Sequence, residues 1–366
     1  MELLRVSYRL DGHPADAESR AEAIALEQTV EVPRAVAMRE PFIKREIVGR
    51  VESIDEAPDG SQRVSIAYPV ATTALDPAQL LGVLFGNTSL HADVACVDFD
   101  PPPSLCDALR GPRAGIAGLR ELTGVRERAL SCTAVKPLGR TPEALAELLG
   151  AFARAGIDVI KDDQGLADHE FCPFEARVEA CLAAAEQVAD ETGHRALYVP
   201  NLIGTPERVF AQLRYAEKRG ARAVMVSPML LGLPTFWELC HRRASVPVLA
   251  HPSHAGVQRY AAELLFGKLL RLYGADAVIF VGYAGRFGIP RATCAAIAAN
   301  LRGAWHGIAP SLPVPGGGIE LRDVPDAVEF YGRDAMLLVG GSLQLEPGRV
   351  LERSRAFAAA VADASR

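Results

Sequence analysis

The sequence predicts an α/β protein: a C-terminal (β/α)8 TIM barrel preceded by a small α+β, ferredoxin-like N-terminal domain. Three observations carry this expectation. From residue 129 onward, short apolar runs alternate with helical patterns eight times. That stretch takes roughly 235 residues, close to the ~250 of a barrel and more than a doubly wound open sheet usually needs. Residues 1–100 lack the rhythm altogether. The expected boundaries are 1–110 for the first domain and 111–366 for the barrel.

Taken in order, residues 5–10 and 62–68 are expected strands, because β-branched and aromatic residues recur at alternate positions. Residues 16–28, rich in Ala and Glu, and 76–84, ending at Gly86, are expected helices. Residues 101–103 and 111–118 are rich in Pro and Gly and are expected to be a linker. The barrel strands are expected at 131–135, 158–161, 197–200, 223–227, 248–251, 277–281, 312–315 and 336–339. Helices are expected between and after them at 142–155, 174–192, 206–219, 235–243, 259–273, 291–302, 324–331 and 347–362. The apolar stripe through Leu264, Leu265, Leu269 and Leu272 is expected to face the core.

The chain of 366 residues is 49 % apolar, enough for a large core, and its net charge of −6 argues against a nucleic-acid partner. No stretch of 18 apolar residues without charge predicts a membrane span, and the first residues lack the basic and apolar regions of a signal peptide. Seven cysteines, odd in number and without a CxxC pair, suggest reduced thiols in a cytoplasmic protein. Cys132 and Cys172 are expected to be buried thiols, and His241, between Cys240 and Arg242, to lie on a solvated face.

In a barrel, chemistry sits where strands end and βα loops begin. The residues at those ends are Lys136, the run Lys161-Asp162-Asp163-Gln164, Asn201, His251 with His254, Arg286, and two glycine clusters. An apolar strand ending in two carboxylates beside an amine offers hard oxygen ligands and a base that burial can tune. The plainer alternative is a strand end meeting solvent, with the aspartates capping the next turn. Gly316-Gly317-Gly318 and Gly340-Gly341 fall at loops seven and eight, where bare backbone N–H groups commonly bind phosphate.

With these ends collected, the chain resembles the RuBisCO superfamily, specifically its non-carboxylating RuBisCO-like proteins (form IV), over nearly its whole length. Gly156-Ile157-Asp158 to Lys161-Asp162-Asp163 matches the signature G-x-D-x-x-K-D-D-E. The resemblance implies that Lys161 takes up CO2 as a carbamate and, with Asp163 and Gln164 in the place of the family's Glu, holds Mg2+. Lys136, in Thr133-Ala134-Val135-Lys136-Pro137, falls near the family's T-x-K-P-K, whose lysine moves protons. Gly317, Gly318, Gly340 and Gly341 match its phosphate-binding glycines. Glu27 and Asn87 resemble residues that the N-terminal domain lends to the neighbouring subunit, which implies a homodimer with shared active sites.

The departures narrow the substrate. Carboxylases have His-Arg after strand five, where this chain has His251-Pro252, and a His at the end of strand six, where Ile279 is expected. Arg286 takes the place of the lysine in the loop after strand six, and a planar guanidinium is not an ammonium. Gln164 removes a charge from the metal site, which then binds Mg2+ more weakly, recruits Asp168 or His169, or works without metal. The resemblance therefore implies a keto-sugar monophosphate substrate and an enolising isomerase, not a carboxylase. The first expectation is 5-methylthioribulose-1-phosphate isomerase, in methionine salvage. The rivals are 2,3-diketo-5-methylthiopentyl-1-phosphate enolase and a decarboxylase of a 3-oxo sugar-acid phosphate (3-oxo-isoapionate-4-phosphate type). A non-enzymatic sugar-phosphate-binding relic would have lost its polar strand ends together, and here they are retained.

Overall fold

The structure is a computed structural model that describes residues 2–285, 287–346 and 348–365. It opens with a four-stranded antiparallel sheet in the order β2-β3-β1-β4, from β1 (Leu3–Leu10), β2 (Arg50–Glu56), β3 (Gln62–Pro69) and β4 (Val94–Asp100). The alternating apolar residues of β1, Leu4, Val6, Tyr8 and Leu10, are all buried, which fixes its register against both neighbours. The helices Ala17–Glu27 and Pro77–Phe85 fall close to expectation. β2 and β4 were not expected. β2 reads RVESIDE, has no fully buried residue, and forms the polar edge of its sheet, so it carries no apolar alternation to detect.

The barrel strands are β5 (Leu130–Val135), β6 (Val159–Asp162), β7 (Leu197–Val199) with β8 (Asn201–Leu202), β9 (Val224–Val226), β10 (Val248–Ala250), β11 (Ala277–Val281), β12 (Leu312–Gly316) and β13 (Met336–Leu338). Strands β7 and β8 are one strand interrupted at Pro200, so the expected eight are present. The parallel ladder runs in two arcs, β13-β5-β6-β7 and β8-β9-β10-β11-β12. Proline explains both seams. Pro200 has no N–H to give, and at the other seam Leu312 N donates to Asp276 O on the β11 side. The alternate positions Pro313 and Pro315 would have to donate toward β13, and cannot.

The expected linker is a correction. Pro103–Leu109 and Gly115–Thr123 are helices. The second closes the barrel floor, with Leu119 buried among the inward residues Leu130, Cys132, Val159, Leu249 and Met336. Its start requires glycine: Gly115 has φ +54, and a Cβ there would lie 2.4 Å from Pro310 O. Asp276 anchors the same turn, its Oδ1 accepting from Ala114 N and Gly115 N at 2.7 Å each.

Two further expectations shift. The segments expected as helices at 235–243 and 259–273 contain π-helical turns at Leu239–Arg243 and Leu265–Leu269. His241 is not on a solvated face: its ring lies 5.1 Å from Trp237, and a Cβ on Gly274 would meet Nε2 at 2.7 Å. Burial, with Arg110 and Arg113 nearby, lowers its pKa to about 4. All seven cysteines are buried free thiols, and no described helix is long and apolar enough to cross a membrane.

Candidate active site

The inward face of the barrel is apolar through Val159, Val199, Met225 and Leu249, which occupy its inner core. Because side chains alternate along a strand, the next inward positions are Lys161, Asn201, Ser227 and His251. The floor is thus dry and the rim polar, with the polar residues ending four consecutive strands.

Lys161 is only 2 % exposed, and its Nζ donates to Asp162 O at 3.0 Å. Burial, with Lys136 acting in the same direction, pulls its pKa below the usual lysine value, against the opposing pull of Cys132 and Asp163. A neutral amine is the form that takes up CO2 or accepts a proton.

Lys136, just past β5, forms an ion pair with Asp163 across 3.1 Å. On its other side it meets loop eight: a Cβ on Gly340 would lie 3.6 Å from Lys136 Nζ. The expected catalytic lysine and an expected phosphate glycine are therefore neighbours. Gly317 and Gly318 adopt φ +87 and +129, and Gly317 O lies 2.7 Å from where a Gly285 Cβ would stand. Loops six and seven approach backbone to backbone, which only glycine permits.

His251 is half-buried, and its Nδ1 faces both Ser253 N (3.2 Å) and Ser253 Oγ (3.0 Å). A backbone N–H can only donate, so Nδ1 accepts and the neutral ring carries its proton on Nε2. Burial, then Lys161 and Lys136, hold its pKa well below the usual histidine value. The same interactions place it within electrostatic reach of both lysines.

The two aspartates of the signature have separate roles. Asp162 is fully buried, accepting from Arg177 Nε (3.0 Å), Tyr198 OH (2.8 Å) and Asn201 N (3.0 Å). Burial opposes the Arg177 charge, but Asp162 beside it raises the guanidinium pKa above its ordinary value. This web, which sequence reasoning missed, sets the end of β6. Asp163 remains partly accessible at 18 %.

Asp168 and His169 each already hold a local contact. Asp168 Oδ1 accepts from Phe174 N at 2.9 Å, and His169 lies 3.0 Å from Gly165 O and stacks on Phe171. Gln164 is half-buried, and its backbone carbonyl accepts from Asn201 Nδ2 at 3.0 Å. No group of three His, Cys, Asp or Glu suited to a metal exists among the described residues. A carbamate on Lys161 would supply a further anionic oxygen ligand beside Asp163 and the Gln164 amide, so the donor set fits a hard cation on that condition.

Four expected residues stand apart. Ile279 is not at a strand end; it packs in the barrel interior, and Val281 ends β11. Arg286 lies outside the described residues. Glu27 and Asn87 are on the N-terminal domain and bond each other, Asn87 Nδ2 donating to Glu27 Oε1 at 2.9 Å. A separate cavity of about 520 Å3, lined by Leu75, Arg110, Trp237 and Arg242 among others, touches none of these strand ends.

Comparison with known proteins accords with this geometry. Residues 115–347 match the ribulose bisphosphate carboxylase large chain, catalytic domain. The ribulose bisphosphate carboxylase-like protein 1 of Rhodopseudomonas palustris is 45 % identical, across 99 % of this chain and 98 % of its own. The 5-methylthioribulose-1-phosphate isomerase of Rhodospirillum rubrum is 42 % identical, across 99 % and 97 %. The crystal structure of a Rubisco-like protein from Rhodopseudomonas palustris superposes with a TM-score of 0.91 at 39 % identity, across 99 % and 98 %.

Proposed function

The chain belongs to the RuBisCO family, among its RuBisCO-like proteins, and on that premise we propose that it is a 5-methylthioribulose-1-phosphate isomerase. The observation that carries the reading is the buried amine of Lys161, its pKa lowered by burial, beside the Lys136–Asp163 pair, whose lysine reaches Gly340 of loop eight. Such a site suits a phosphorylated ketose whose protons are moved between neighbouring carbons.

Each residue has a stated task. Backbone N–H groups of Gly317, Gly318, Gly340 and Gly341 bind the phosphate, and Lys136 Nζ lies close enough to pair with it or to move a proton at the adjacent carbon. His251 Nε2–H donates to a substrate oxygen, since its Nδ1 is already an acceptor. Lys161 (as its carbamate), Asp163 and Gln164 are the residues that would hold Mg2+. When bound, that ion supplies a Lewis acid that polarises the ketone and lowers the barrier to proton removal.

A single phosphate suits the rest of the rim. Pro252 and Val281 offer no cation where a second phosphate would stand, and an unpaired buried dianion is costly. The far end accordingly takes a neutral methylthio group.

Two chains share each site, with Glu27 and Asn87 of one domain completing the barrel of the other. The test of the reaction is turnover of 5-methylthioribulose 1-phosphate by the full-length protein with Mg2+ and bicarbonate, against 2,3-diketo-5-methylthiopentyl 1-phosphate. Faster turnover of the diketone would replace the isomerase by the enolase.

A further inference from the structure

We infer that Asn201 and Ser227 recognise the hydroxyl groups on the middle carbons of the substrate, making the site selective for a polyol chain. This rests on the isomerase reading and specifies what its site demands.

The two residues are consecutive members of the polar rim. Asn201 pairs in register with Met225, two residues before Ser227, and His251 N donates to Val226 O, so Ser227 lies beside His251. Asn201 is 1 % and Ser227 5 % exposed. Asn201 Oδ1 and Ser227 Oγ have no hydrogen-bond partner among the described residues. A buried polar atom left unpaired costs free energy, so two of them side by side at the strand ends of a barrel point to a ligand that pairs them.

The chemistry each would accept follows from its other bonds. Asn201 Nδ2 donates to Gln164 O (3.0 Å) and Leu166 O (3.2 Å). Both partners are acceptors, so the amide orientation is fixed and Oδ1 must face away from them. Oδ1 can only accept, so it requires an O–H on the ligand and gains nothing from a carbonyl.

Ser227 stands at the N-cap position of the short helix Pro228–Leu231, where a serine hydroxyl would ordinarily accept from the helix's own N–H groups. It does not, and Leu230 N and Leu231 N are served by its carbonyl instead, at 3.0 and 3.1 Å. The hydroxyl is left free to donate or accept. An acceptor and a two-way hydroxyl, next to the Nε2 donor of His251, match adjacent hydroxyl-bearing carbons better than adjacent carbonyls. The rim therefore favours a pentulose phosphate over a 2,3-diketone.

The test measures the affinities of wild type and Ser227→Ala for the parent sugar phosphate in an unreactive form, with its 2-carbonyl reduced to an alcohol, and for the 3-deoxy and 4-deoxy analogues of that form, since the 3-hydroxyl becomes the product's carbonyl and a 3-deoxy ketose cannot turn over. Wild type should lose about 10- to 100-fold on each analogue, the scale of leaving a buried polar group unpaired. Ser227→Ala should lose a similar factor on the parent sugar and almost nothing more on one of the two analogues. The other analogue should keep its full penalty in both proteins, which assigns that hydroxyl to Asn201. Thermal unfolding of free Ser227→Ala should be unchanged or shifted upward, because no bond in the free protein is lost. Equal losses on all three compounds, unchanged affinity in Ser227→Ala, or wild-type indifference to either deoxy substitution would overturn the inference. Failure of the isomerase reading would show separately, as absent wild-type turnover of the parent sugar, and would remove the inference with it.

Discussion

Lys136 Nζ and Asp163 Oδ1 stand 3.1 Å apart and join the end of β5 to the end of β6. The pair divides the work of two lysines. Lys136 keeps a carboxylate partner, whereas the Nζ of Lys161, 2 % exposed, donates to a backbone carbonyl, its one hydrogen-bond partner among the described residues. The buried amine is the one whose pKa burial lowers.

Lys161→Met should therefore lower turnover by roughly 10²–10⁴-fold, the usual contribution of a positioned acid or base. Its unfolding temperature should be unchanged or higher, since an apolar side chain of similar length replaces a buried amine. Steady-state kinetics and a thermal melt check both, and full activity would remove Lys161 from the chemistry.

His251 makes a signed prediction for pH. Its folded-state pKa lies below the ~6.5 of an unfolded chain. Between those values the unfolded state binds more protons, so stability falls as pH is lowered below about 6.5. Replacing the ring by His251→Asn should flatten that part of the profile. Unfolding temperatures between pH 7.5 and 5 for both proteins measure it, and parallel curves would contradict the assignment.

Gln164→Glu should tighten Mg2+ binding by about tenfold or more, because ligand charge sets affinity at oxygen sites. The Mg2+ dependence of the unfolding temperature, with bicarbonate present, reports it. Unchanged affinity would mean that residue 164 faces away from the metal.

The barrel was largely legible because its strands are apolar runs bounded by turn residues, and the observed ends differ from the expected ones by one residue, or by two where β8 carries the third strand on to Leu202. β2 was hidden by its polar edge position, and Gly115–Thr123 by glycines that serve close packing against Pro310 and not flexibility. At the site, the signature spacing drew attention to Lys161 and Asp163, which the structure places at the end of β6 and just beyond it. The resemblance set Asp163 apart from Asp162, but the burial of Asp162 against Arg177 and Tyr198 was out of reach, because it depends on residues 15 and 36 positions away. Asn201 was visible only as a strand end, and Ser227 was not singled out, because an unpaired buried atom is a property of three-dimensional packing. Ile279 was misplaced because inward alternation, not position within the apolar run, decides which residue reaches the rim.

The proposed sharing of sites between two chains predicts complementation. Glu27→Gln and Lys161→Met should each be inactive alone, and mixing them under subunit exchange should restore up to about a quarter of wild-type activity, as random pairing of a two-fold dimer requires. No recovery in exchanged dimers would mean that each chain completes its own site.

The central claim is that this rim moves protons on a keto-sugar phosphate through Lys161 and its neighbours. Proton NMR of 5-methylthioribulose 1-phosphate in D2O with the wild-type protein, Mg2+ and bicarbonate tests it most directly. Solvent deuterium should appear at the carbons between which the carbonyl moves, and Lys161→Met should show no incorporation above the uncatalysed rate. Conversion without any incorporation, or incorporation that persists in Lys161→Met, would contradict the account.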